Sequence, residues 1–125
     1  MAGEANIETA KTAYAAFSAG DAAGAMTNIA DDIEWITPGN SAISGTARGK
    51  EAVGALWAKF AEKNFTTAPE FWFSDENHVV VLTHVVNGGE EADGVDVLTY
   101  NADGKLVKFQ TAGDTALLER VYGSK

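Results

Sequence analysis

Few side chains in this sequence can move a proton. Asp96 lies in Val95-Asp96-Val97-Leu98-Thr99-Tyr100, whose β-branched and apolar residues predict a strand. On the apolar face of such a strand its carboxyl would be desolvated and its pKa raised, which is how a carboxylate becomes a general base near neutral pH. Strand residues alternate faces, so the opposite parity, with Val95 and Val97 inward and Asp96 solvated, is equally open. Asp114 stands directly before Thr115-Ala116-Leu117-Leu118, where a helix takes its N-cap. His78 and His84 fall at even spacing in one predicted strand and share a face. An imidazole titrates near neutrality, and His84 would act as a general base if it met Asp96 on the adjacent strand. An edge or interface histidine is the simpler reading.

Other chemistries are excluded by composition. There is no cysteine among the 125 residues, which removes disulfides, thiolate metal sites and a thiol nucleophile. Asp31-Asp32 and Glu90-Glu91-Ala92-Asp93 fall at predicted turns, where carboxylates are solvated, and two histidines without an acidic cluster on their face make a poor site; no metal and no cofactor are expected. The Gly39 to Gly49 segment lacks the Gly-Lys-Ser/Thr ending of a phosphate loop. Eighteen acidic and nine basic residues give a net charge of −9, and the only arginines are Arg48 and Arg120. With no basic stripe, neither nucleic acid nor an anionic membrane is an expected partner. No stretch of eighteen apolar residues occurs and the first residues lack a basic and then apolar run, so a soluble, cytoplasmic protein is expected.

The length and the 46% apolar content predict one domain over residues 1–125. Ile7, Ala10, Tyr14 and Phe17 recur at helical spacing up to a Gly20 cap, and Asp21 caps an Ala-rich second helix running to about Ala30. Ile33 to Thr37 reads as a short strand stopped by Pro38-Gly39, and Asn40 to Gly49 as a loop. A third helix spans Lys50 to Lys63 with Val53, Leu56, Trp57 and Phe60 on one face. Four strands follow, Phe65 to Phe73, His78 to Val86, Val95 to Tyr100 and Leu106 to Thr111, joined by turn sequences into an antiparallel meander, with a closing helical turn over Thr115 to Val121. Helices first and hairpin-linked strands afterwards define an α+β fold.

Five fragments in order carry a resemblance: Tyr14 to Asp21, Ala30 to Trp35 with Pro38-Gly39, Gly45 to Val53, Asp103 to Val107, and Gly113 to Leu117. On these the chain resembles the nuclear-transport-factor-2-like superfamily and, within it, the SnoaL-like and ketosteroid-isomerase-like proteins. The resemblance implies a cone-shaped, cystatin-like roll, three N-terminal helices on a strongly curved and mainly antiparallel sheet. It further implies a pocket between helices and sheet, and a homodimer formed across the sheet's outer face. The activities it implies are diverse: isomerases, dehydratases, polyketide cyclases, epoxide hydrolases and binders without catalysis.

Carried over residue by residue, the isomerase pattern puts its base at Thr37 and its tyrosine at Ala13, one residue from Tyr14, so neither role is filled; its oxyanion-side carboxylate falls on Asp96. The epoxide-hydrolase pattern needs an arginine in a sheet strand, and none is predicted there. In SnoaL-type cyclases an aspartate at the end of the last strand acts as base, a position that Asp114 resembles. Matching strand turns favours Val79, Val81, Thr83 and Val85 as the inward set, with His84 toward a partner. The candidate catalytic residues are therefore Asp96 and Asp114. The candidate substrate-binding residues are Tyr14, Trp35, Thr37, Trp57 and Phe60 with Thr83, His84 and Thr111. The expected ligand is a small hydrophobic, carbonyl-bearing molecule, bound or transformed without a cofactor. The competing reading is a non-catalytic binding or dimerisation module whose aromatic side chains fill its own interior.

Overall fold

A computed structural model describes residues 2–125. In chain order it contains α1 (Ala2–Ser18), α2 (Ala22–Met26), β1 (Ile29–Thr37), β2 (Gly45–Arg48), α3 (Lys50–Glu62), β3 (Thr66–Ser74), β4 (His78–Asn87), β5 (Glu90–Tyr100), β6 (Leu106–Ala112) and α4 (Thr115–Tyr122). The strands form one sheet in the order β2-β1-β6-β5-β4-β3. Every pairing is antiparallel except β1 with β6, which is parallel. Register shifts interrupt β1–β6, β3–β4 and β5–β6, and such irregularities bend and twist a sheet so that it wraps a core. This is the α+β roll that the sequence predicts, with a fourth, C-terminal helix added to the three N-terminal ones.

Local chemistry fixes the helix ends. Gly20 takes φ 79° and stops α1, a left-handed conformation that a Cβ would penalise. The Asp21 side chain accepts a hydrogen bond from Gly24 N at 2.9 Å and caps α2. That helix ends at Met26 rather than near Ala30, because Ile29 already pairs with Leu106 as the start of β1. The strand expected from Ile33 therefore begins four residues earlier, and Ile29 and Ile33, an even number of residues apart, both point inward at 5% and 0% exposure. Within the segment expected to be loop, Gly45 to Arg48 forms the short edge strand β2, held to β1 by pairing and by an Arg48–Glu34 ion pair at 2.7 Å.

The apolar face of α3, Val53, Leu56, Trp57 and Phe60, is buried against the sheet as its spacing predicts. Val79 and Val81 of β4 join Ile33 and Val53 as fully buried residues. Burying an aliphatic side chain of this size stabilises the fold by roughly 1.5–3 kcal/mol, which makes this layer the anchor on which the site is built. Among the described residues, no helix is long and apolar enough to cross a membrane.

Candidate functional site

Between α1, α3, α4 and the concave side of the sheet lies a cavity of about 150 Å³. Part of its wall is a cluster of aromatic rings. Trp35 of β1 stacks on Phe109 of β6 with ring centroids 3.7 Å apart, and Trp57 of α3 stands edge-on to Trp35 at 5.7 Å and to Phe17 of α1 at 5.2 Å. Phe60 of α3 lines the same space.

One carboxylate is set into this wall. Along β5 the buried positions are Asp96, Leu98 and Tyr100, while Val95 and Val97 face the other side. The parity left open by the sequence is thus decided: Asp96 points inward and is 7% exposed. Thr111, directly across the β5–β6 ladder, donates its hydroxyl to Asp96 Oδ1 at 2.8 Å. Tyr14 reaches down from α1 and donates its hydroxyl to Asp96 Oδ2 at 2.5 Å. Burial pushes the Asp96 pKa up, and the two hydroxyl donors only partly offset it. Burial, with the Asp96 charge alongside, pushes Tyr14 well above the usual tyrosine range, so its hydroxyl stays neutral.

Ala13 lines the cavity, but the side chain of its neighbour Tyr14 is the one that meets the carboxylate. Thr37, at the position carried over for the base, also lines the cavity with only a hydroxyl to offer. Trp35, Trp57, Phe60, Thr83 and Thr111 line the cavity as well.

Two candidates stand apart from Asp96. His84 lies outside the cavity wall: its Nδ1 is 3.0 Å from Asp93 and its Nε2 2.8 Å from Glu91, on the outward face of the β4–β5 hairpin. It cannot meet Asp96, because the residue opposite Asp96 on β4 is Val81 and the residue opposite His84 on β5 is Asp93. Its two acidic neighbours raise its pKa. Asp114 is exposed at the rim, where its Oδ1 accepts the Leu117 amide at 3.0 Å and caps α4. Among the described residues, no three His, Asp or Glu side chains gather as metal ligands.

Other cavity groups escaped the sequence reading. Asn87, 3% exposed, accepts the Tyr122 hydroxyl at 2.5 Å and ties α4 to the end of β4, and burial pushes Tyr122 up to about 12. The sequence signal at Asn87 was masked by Asn87-Gly88-Gly89, which reads first as a turn. Trp57 Nε1 and the hydroxyls of Thr37, Thr67 and Thr83 are buried without a hydrogen-bond partner among the described residues.

A helix-covered, curved and mainly antiparallel sheet enclosing a largely apolar cavity with one buried carboxylate defines an α+β roll. The SnoaL-like domain family matches residues 10–109, and the chain belongs to it. Similar solved structures include an NTF2-like protein from Burkholderia xenovorans LB400, 29% identical over 98% of this chain and 98% of that one, with a TM-score of 0.81. Bal32a, from a soil-derived mobile gene cassette, is 21% identical with a TM-score of 0.89 over 98% and 99% of the two chains. TerC, co-crystallised with polyporic acid, is 24% identical with a TM-score of 0.81 over 95% and 98%. No curated protein matches the sequence.

Proposed function

We propose that this protein binds a small hydrophobic, carbonyl-bearing molecule in the cavity and that Asp96 transfers a proton on it without a cofactor. The observation that carries the reading is Asp96 itself, ionisable, sheltered, and held by Tyr14 and Thr111 in the cavity wall. A carboxylate in such surroundings is a stronger base than one in water, because protonation relieves its desolvation. Each carboxylate oxygen engaged by a hydroxyl keeps a second lone pair. One of these takes the proton from carbon next to the carbonyl, the C–H electrons move to form the enolate, and the neutral carboxylic acid then returns the proton. The competing module with a filled interior is disfavoured by the cavity that remains beside the Trp35–Phe109 stack.

The test is exchange of ketone α-hydrogens for deuterium in heavy water, followed by NMR with para-hydroxyacetophenone as probe. Asp96→Asn lowers the protein-dependent rate by about 100-fold or more, and Tyr14→Phe by about tenfold. Exchange at the wild-type rate in both variants would rule out Asp96 as the base.

A second copy of the chain is the partner that we propose. The outward face of β3 and β4 exposes Phe71 at 59%, Phe73 at 56% and Leu82 at 37%, and Phe71 lies opposite Leu82 in the ladder. Large apolar side chains grouped on one sheet face favour association, and the family resemblance implies pairing through that face.

A further inference from the structure

Resting on the binding function proposed above, we infer that the ligand is a single-ring molecule with two separate oxygen functions. One is received by the Trp57 indole N–H on the helix wall, the other by the sheet wall that carries Asp96, where the Thr37 and Thr83 hydroxyls stand on separate strands. Trp57, Thr37 and Thr83 are 8%, 4% and 1% exposed, all three line the cavity, and none of their side-chain polar atoms has a partner among the described residues. Folded proteins pair most of their buried polar groups, since a donor removed from water without a new partner is destabilising. With the Thr67 hydroxyl, which is also unpaired and also lines the cavity, four such groups around one cavity point to a partner supplied from outside the chain.

Their chemistry narrows that partner. An indole N–H only donates, so it requires an acceptor oxygen, whereas a threonine hydroxyl serves a carbonyl or a hydroxyl equally. Their positions separate the two demands. Trp57 is wedged between Phe17 of α1 and Trp35 of β1. Thr83 is on β4 opposite Gly94, two residues from Asp96, and Thr37 ends β1 on the other side of β6. Gly94 keeps the Thr83 hydroxyl open to the cavity, because a Cβ there would stand 3.3 Å from Oγ1 and 3.1 Å from the Ala112 carbonyl oxygen. The Trp35–Phe109 stack supplies aromatic surface on the sheet wall of the cavity, against which a flat ring packs. The size is set by the cavity volume of about 150 Å³, the scale of an engineered protein cavity that holds benzene.

A matched pair of probes tests this by calorimetric titration of the whole protein: para-hydroxyacetophenone, with an oxygen at each end, and para-isopropyltoluene, its hydrocarbon isostere. Trp57→Phe and Thr37→Val are each expected to weaken the ketophenol about tenfold while the hydrocarbon changes by less than about twofold. Thr83→Val gives the same reading on the sheet wall should Trp57→Phe fail to fold. Equal losses for both probes, or a hydrocarbon bound as tightly as the ketophenol, would overturn the two-oxygen ligand and leave the binding pocket standing. Failure of both probes to bind would take away the pocket function and this inference with it.

Discussion

A carboxyl group as sheltered as Asp96 ionises without most of the hydration it would have in water, and the sign of the consequence follows from its raised pKa. The folded protein holds the Asp96 proton more tightly than the unfolded chain does. Stability therefore falls as pH rises from the ordinary carboxylate range through the raised value, and it is not regained above that value. Relative to Asp96→Asn, the wild type is expected to lose melting temperature as pH is raised from ~4 to ~8; a constant difference across that range would mean that ionised Asp96 carries no burial penalty. His84 has the opposite charge type. Its raised pKa stabilises the fold at low pH, and that contribution fades as pH rises through the folded value. At Asp114 the carboxylate serves the backbone, so Asp114→Ala is expected to cost about 1 kcal/mol of stability in denaturant titrations while para-hydroxyacetophenone binding holds. These roles were unequally legible. The cap at Asp114 could be read from its position before Thr115, whereas both faces of β5 carry apolar side chains, Val95 and Val97 outward, Leu98 and Tyr100 inward. Hydrophobic alternation could not say which way Asp96 points, and only pairing with Thr111 and Tyr14 settles it.

Elements with their own periodic signal were the most legible. The helix α3 follows its 3.6-residue stripe, and the meander β3 to β6 follows its turn sequences, because both rest on local chemistry. The strand β2 did not announce itself. Gly45-Thr46-Ala47-Arg48 has little β preference, and what makes it a strand is the neighbouring edge of β1. The start of β1 at Ile29 was missed for the same reason, since its partner Leu106 is far away in sequence. The outer face of β3 and β4 supplies a prediction at this scale. Phe71→Glu combined with Phe73→Glu is expected to convert a dimer into a folded monomer in sedimentation velocity. A species of unchanged mass would remove this face as the interface. Charges set on an apolar interface are strongly unfavourable when desolvated.

Over the whole molecule a net charge of −9 is spread on 125 residues. Its cationic partners are few, with Arg48 to Glu34 and Arg120 to Glu90 the shortest arginine ion pairs, both solvent-exposed and weak. Self-repulsion outweighs such pairs, so the melting temperature is expected to rise as sodium chloride is raised from ~0.01 to ~0.15 M; a fall would show that local attraction dominates. The sheet closes only where the parallel pair β1–β6 joins an early strand to the last one, and that seam sets Trp35 against Phe109. Contacts so distant along the chain form late, after the loop between them has lost its freedom. During synthesis, then, a chain that has not yet emerged past the Asn101 to Lys105 turn has no recognition centre, since Thr111 and the strand that bears it are missing. Ligand capture therefore reports a finished polypeptide, and two fragments divided at that turn would regain it only by reassembling.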